Sequence, residues 1–205
     1  MGSKEKYEKL IVKRFNKKFK EFGLNIRSIG WDNNKNQELR FKNIFKVANL
    51  KDCKNILDIG CGFGDLSTYI KKKKIKLFYT GIDINNKFIE INKKKKNKIN
   101  CNYYNSSIFD FKKKYDLNVS FGLLNFKKCS NNYVKKFINE SFKKSKKACL
   151  IDFISSDHQK RKEDFINYYE PEKIIKIVRK ITKNFSLFSD YKSIPQKEFT
   201  IILYK

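Results

Sequence analysis

The sequence predicts an α/β fold, a doubly wound and mostly parallel sheet with helices on both faces, and three observations carry that reading. Short apolar runs alternate with amphipathic stretches from residue 55 onward, the rhythm of strands and crossover helices. One of these runs, Asn55–Ile59, leads straight into Gly60-Cys61-Gly62-Phe63-Gly64 and then Asp65, joining a buried strand, a turn of alternating glycines and a helix start. The next run, 77–84, contains Asp83 about 20 residues beyond the glycines, where nucleotide-binding α/β sheets carry the acid that holds a ribose.

The elements follow in order. Residues 4–22 space Tyr7, Leu10, Ile11, Phe15, Phe19 and Phe22 at helical intervals, an amphipathic segment able to cap a site or pack on the sheet. A polar loop over 30–36 precedes a helix over 36–50. Residues 1–50 thus read as a helical cap, and 51–205 as the α/β domain, with strands at 55–59, 77–84, just before Asn105, 117–121, 148–154, 185–191 and 198–204, seven in all. Pro171 lies in the first turn of a helix over 171–182, a position that tolerates its missing N–H. The last two strands form a hairpin with Ile194-Pro195-Gln196 in its connection, and no internal repeat is visible.

Glycines permit positive φ and let a ligand approach the backbone, and a helix opening at Asp65 presents free N–H groups. The competing pattern, G-x-G-x-x-G, uses a third glycine for helix packing while the N–H groups hold a pyrophosphate. Here the third glycine comes one position early and Asp65 stands in its place; a carboxylate there repels a pyrophosphate. A glycine-rich turn with no ligand stays open as the plainer alternative. Asp83 can accept from both ribose hydroxyls, and Ile84 can lie against a base, although an isolated Asp at a strand end is more often a helix cap.

With these motifs the chain resembles the class I S-adenosylmethionine (SAM)-dependent methyltransferases over nearly its whole length. The resemblance implies a seven-stranded sheet with only its final strand antiparallel, and SAM as cofactor, released as S-adenosylhomocysteine. It places the cofactor on Asp58, Gly60, Cys61, Gly62, Gly64, Asp83, Ile84, Ser107, Ile108 and Phe121. Asp58 suits the cationic methionine part and can fix the loop amides, and Cys61 is small enough for the turn. The adenine turn is Asn105-Ser106-Ser107-Ile108, with Ser107 where the family usually has Asp, a neutral and weaker partner. Gly122-Leu123-Leu124-Asn125 ends the fourth strand, where family members place groups near the transferable methyl.

Gly30-Trp31-Asp32 and Gln37-Glu38-Leu39-Arg40-Phe41 resemble a segment of a group of small bacterial methyltransferases, which implies Gln37 and Arg40 over the pocket, Arg40 pairing with the methionine carboxylate. The other reading makes Trp31 and Phe41 core anchors and Arg40 a solvated side chain. The sheet order implied by the resemblance sets Asn125, Tyr169, Asp190, Tyr191 and Glu198 on the acceptor rim. His158, the sole histidine, lies in the same ligand-edge segment as Tyr168; the pair are the candidate catalytic residues, although a lone loop histidine is usually just exposed.

A length of 205 residues and 40% apolar content suit one α/β domain. No run of about 18 apolar residues and no signal-peptide core is present, so the expectation is a cytoplasmic protein without membrane insertion. Five scattered cysteines without C-x-x-C spacing indicate neither a disulfide framework nor a metal site. The net charge of +27 raises nucleic acid as a partner. Yet only five of the 48 basic residues are arginines, the residue that phosphate and base recognition favour. The lysine runs at 71–74 and 93–96 close helices that begin at the ligand edge, far from the chemistry. The expected acceptor is therefore an oxygen or nitrogen of a small metabolite or sugar precursor, with RNA as the alternative and a non-catalytic SAM-binding protein as the third reading.

Overall fold

The structure, a computed structural model, describes residues 3–47, 52–95, 100–127, 129–157, 164–189 and 198–205. Its fold is built from two compact units, Met1–Phe111 and Lys112–Lys205.

The first unit contains α1 (Ser3–Phe22), a 3-10 turn (Ile26–Ile29), α2 (Asn34–Val47), β1 (Asn55–Ile59), α3 (Asp65–Lys72), β2 (Phe78–Asp83), α4 (Asn86–Lys94) and β3 (Cys101–Asn105). β1 and β3 flank β2 in parallel, with Ile59 beside Ile82 and Asp83 beside Asn105. β1 is buried from Ile56 to Ile59, as its apolar run requires. α1 buries Tyr7 and Ile11, and its Phe15 and Phe19 rings meet Phe88 of α4. Phe19 also meets Phe63 of the glycine turn. The predicted amphipathic face is thus a packing face, and α1 folds together with β1 to β3. α2 starts at Asn34, two residues before its expected start, because the Asn33 side chain accepts from the Asn36 N–H at 2.9 Å, an N-cap bond.

The second unit contains β4 (Tyr115–Ser120), α5 (Asn131–Lys143), β5 (Ser145–Ile154), α6 (Pro171–Arg179), β6 (Phe185–Phe188) and β7 (Glu198–Tyr204). β4 and β5 are parallel, whereas β7 runs antiparallel to both β5 and β6. α6 stops at Arg179, short of the expected 182, where the Ile181 and Thr182 N–H groups both return to the Val178 carbonyl. The predicted connection at Ile194-Pro195-Gln196 lies outside the described residues.

The strands make a seven-stranded sheet in the order β3-β2-β1-β4-β5-β7-β6, mostly parallel with the last strand reversed, as the sequence led us to expect. Among the described residues no helix is long and apolar enough to cross a membrane.

Candidate functional site

The turn between β1 and α3 is the centre of the first unit. Gly60, Gly62 and Gly64 all have left-handed backbones, with φ of 81°, 52° and 70°, a conformation that only glycine adopts without strain. Neighbouring strands and helices fix it. The Gly60 and Cys61 N–H groups donate to the Ile82 carbonyl at 2.8 and 3.1 Å. Asn92 of α4, fully buried, donates to the Gly62 carbonyl at 2.7 Å, and the Lys95 ammonium donates to the Phe63 carbonyl. Cys61 fits because Gly81 of β2 lacks a side chain; a Cβ there would sit 2.8 Å from its sulfur.

Asp83 closes this arrangement. Its two carboxylate oxygens accept the Gly62 N–H at 2.9 Å and the Asn85 N–H at 2.8 Å. Burial raises its carboxyl to about 6, opposed by those two N–H bonds. A carboxylate oxygen can accept more than one bond, so a diol can still be held there. Asp58 is buried beneath the turn and accepts the Tyr79 hydroxyl at 2.7 Å. Burial raises its carboxyl to about 7; the Tyr79 bond works against that rise, and the negative charges of Asp83 and Asp65 add to it. The expectation that Asp58 fixes the loop amides is corrected: Ile82 and Asp83 do so.

Gln37 of α2 donates to the Asp65 carboxylate at 3.1 Å, which sets α2 against the start of α3. Arg40 is 4% exposed, lies over the Trp31 ring at 4.4 Å and donates to the Asn36 carbonyl at 3.1 Å, so the solvated reading of Arg40 is overturned. Phe41 is a core residue at 4% exposure. The turn after β3 is tied to the end of β2, with the Ser106 N–H and the Asn105 amide both donating to the Asp83 carbonyl at 3.1 and 2.9 Å. Ser107 donates to Asp110 at 2.6 Å. Ile108 is 2% exposed and anchors this turn instead of offering a ligand surface, while Ile84 is half-buried.

In the second unit β4 gives way to half-buried Phe121 and to Gly122, whose φ is 67°. The Gly122 N–H donates to Asp152 of β5 at 2.7 Å. Asn125 is internal glue: its side chain accepts the Ile154 N–H at 3.3 Å and its carbonyl accepts the Asn167 N–H at 2.8 Å. Tyr169 is corrected from a rim position to a buried strut, 6% exposed, whose hydroxyl donates to the Leu124 carbonyl at 2.5 Å. Glu198 begins β7 opposite Ile154 and is 4% exposed, buried rather than on an open rim. Tyr168 is half-buried. His158, Asp190 and Tyr191 lie outside the described residues.

Several residues escaped the sequence reading. Asn92 and Tyr79 carry no motif and are visible only once the strands and α4 are packed. Asp152 had a signal, an acid near the end of the apolar run 148–154. So did Asp110, three positions after Ser107 in a Ser-x-x-Asp turn.

Residues 56–147 match the family described as "Methyltransferase domain". No curated protein matches the chain. Among solved structures, the magnesium protoporphyrin IX methyltransferase of Synechocystis PCC 6803 with bound SAM is 14% identical. It aligns with a TM-score of 0.66 over 99% of this chain and 98% of its own. The plantazolicin methyltransferase in complex with a triazolic desmethylPZN analog and S-adenosylhomocysteine is 15% identical, with a TM-score of 0.64 over 98% of this chain and 99% of its own. A small RNA methyltransferase is 16% identical at a TM-score of 0.66, over 82% of this chain but 25% of its own. At such identities the likeness is one of fold. Residues 56–147 thus match a methyltransferase-domain family, and the chain has a Rossmann-like fold similar to that of the class I SAM-dependent methyltransferases.

Proposed function

We propose that the protein binds SAM and transfers its methyl group to an oxygen or nitrogen of a small metabolite or sugar precursor. One observation carries the cofactor half of this reading. Three carboxylates, Asp58, Asp65 and Asp83, gather around the glycine turn, near enough for the latter two to raise the Asp58 carboxyl. Such a field repels a pyrophosphate and attracts a sulfonium or an ammonium group. The donor set also fits a nucleoside, with Asp83 to accept ribose hydroxyls, Ile84 to meet a base face and Ser107 to meet its edge. The protoporphyrin enzyme, crystallised with SAM and with S-adenosylhomocysteine, and the plantazolicin enzyme, crystallised with S-adenosylhomocysteine, support the choice.

When bound, the cofactor supplies an electrophilic methyl. The chain's work is then to hold the nucleoside by Asp83 and Ser107, to balance the methionine charge with Asp58 and Asp65, and to bring the acceptor atom into line, a proximity effect. Gln37 holds Asp65 in place, and Arg40 is assigned to the methionine carboxylate. Phe121 is assigned to the cofactor and Asp190 and Tyr191 to the acceptor side, with His158 and Tyr168 as the groups that take the acceptor's proton where one must leave.

Titration calorimetry with SAM and S-adenosylhomocysteine, against a nicotinamide dinucleotide and a nucleoside triphosphate, tests the cofactor. Both sulfur nucleosides are expected to bind and both phosphates to be ignored; the reverse pattern overturns the reading. A methyl-transfer screen over metabolites and sugar nucleotides then tests the acceptor.

One observation favours RNA as a second reading. Lys9, Lys13, Lys17 and Lys20 line, with Glu5, Glu8, Val12, Asn16 and Ile84, a groove of about 760 Å³ along α1 whose charged lining is four lysines to two glutamates. The spacing of the lysines places them on one helix face, beside the ribose strand and not at the opposite edge. Stoichiometric methyl transfer to total RNA, with none to the metabolite panel, would decide for it.

A further inference from the structure

Ser107 replaces the acid expected at the adenine turn, and a serine hydroxyl by itself is an ambiguous reader, since it both donates and accepts. The residues around it remove the ambiguity. Its hydroxyl lies 2.6 Å from the Asp110 carboxylate, and Asp110 is ion-paired with Lys4 of α1, whose ammonium reaches both oxygens at 3.2 and 3.1 Å. Lys4 also lies over the Phe109 ring at 4.9 Å, which holds it across this turn. An ionised carboxylate has no proton to give. The shared proton of the Ser107–Asp110 bond is therefore the serine's, and the serine oxygen faces any further partner as an acceptor only. Ser107 is 8% exposed while the Asp110 side chain is 68% exposed, so it is the serine end of the bond that is shielded, and its neighbour Ser106 is bonded to Asp83 at 3.1 Å, at the ribose position.

We infer that Asp110, held by Lys4, is a positioning residue that makes Ser107 select a purine with an amine at position 6 over one with a carbonyl there. An adenine amine donates to the serine oxygen; a 6-oxo purine sets a second acceptor against it. A bond from an acceptor polarised by a carboxylate is also stronger than one from a free hydroxyl. The pair Ser107 and Asp110 thus does, in two steps, what one acid does directly. The inference rests on the proposed cofactor and deepens it.

The test is titration calorimetry of the full chain with S-adenosylhomocysteine and with its 6-oxo analogue, S-inosylhomocysteine. The wild type is expected to prefer the amine by roughly tenfold or more, the scale of one buried mismatched hydrogen bond. In Asp110→Ala the hydroxyl is free to turn and donate, so the preference falls to about twofold or less, chiefly because the 6-oxo compound binds better. That gain for the wrong ligand is a readout that general damage to the turn would not produce. Asp110→Asn, whose carbonyl still accepts from Ser107, keeps part of the preference. Should Asp110→Ala fail to fold, Ser107→Ala serves instead and loses the preference through weaker binding of the amine compound. Binding of S-adenosylhomocysteine with full discrimination retained in Asp110→Ala or in Ser107→Ala overturns this inference and leaves the cofactor assignment standing. Wild-type protein that binds neither nucleoside sinks both.

Discussion

The two compact units differ in where their function is written. In the first, the chemistry rests on the backbone: three left-handed glycines, the carbonyl of Ile82, and N–H groups captured by Asp83. In the second, the side chains expected to meet an acceptor are drawn into packing, Tyr169 under Leu124 and Asn125 against Ile154. A cofactor of constant shape can be met by a constant backbone turn, while an acceptor that differs between enzymes is met by side chains whose roles depend on their neighbours.

The strongest attack on this contrast is Gly62→Val. A Cβ at Gly62 would stand 3.2 Å from Ile29, and a β-branched residue at φ 52° carries strain of about 1–3 kcal/mol. We expect SAM binding to be abolished in calorimetry, with a folded far-ultraviolet dichroism spectrum; retained binding would move the pocket elsewhere. Asp83→Ala comes next, expected to weaken SAM by about 1–3 kcal/mol. Because two backbone N–H groups lose their acceptor, it should also lower the urea midpoint, an effect that ribose recognition alone would not predict.

Asp152→Ala is the matching experiment in the second unit. It strands the Gly122 N–H and should cost about 1–3 kcal/mol of stability while SAM affinity stays within about twofold. A large loss of SAM affinity would break the contrast between the units. The smallest effect is a pH dependence. Asp58 and Asp83 have folded values of about 7 and about 6 against 3.8 unperturbed. Between about pH 4 and 7 the folded protein keeps protons the unfolded chain has released, so stability falls as pH rises through that window. Asp58→Asn should flatten the slope by on the order of 1–2 kcal/mol, with the Tyr79 bond retained. SAM, as a cation, should bind more tightly as these groups ionise, with proton release detectable in buffers of different ionisation enthalpy. A flat stability profile would mean that neither carboxyl is raised.

Much of the first unit was legible because its signals are local. An apolar run, alternating glycines and an acid at fixed spacing each act through backbone geometry within a few residues, and β1, the turn and β2 fall where those signals place them. Boundaries were less legible: α2 starts early because of one Asn33 bond, and α6 ends early because two N–H groups fold back on Val178. The Gln37 contact to Asp65 was not legible from the segment that holds Gln37, and Arg40 showed that a motif residue can be buried against its own neighbours.

By itself the sequence determined the α/β class, the strand–glycine–helix turn and the acid at the end of β2, since each follows from short-range rules of periodicity and φ. The tertiary structure decided which groups restrain that turn and how they are charged. Asn92, Lys95, Tyr79 and the Lys4–Asp110–Ser107 chain are brought together from separate elements. The raised carboxyls of Asp58 and Asp83 arise from burial, a property no local run of residues possesses before the helices cover the sheet.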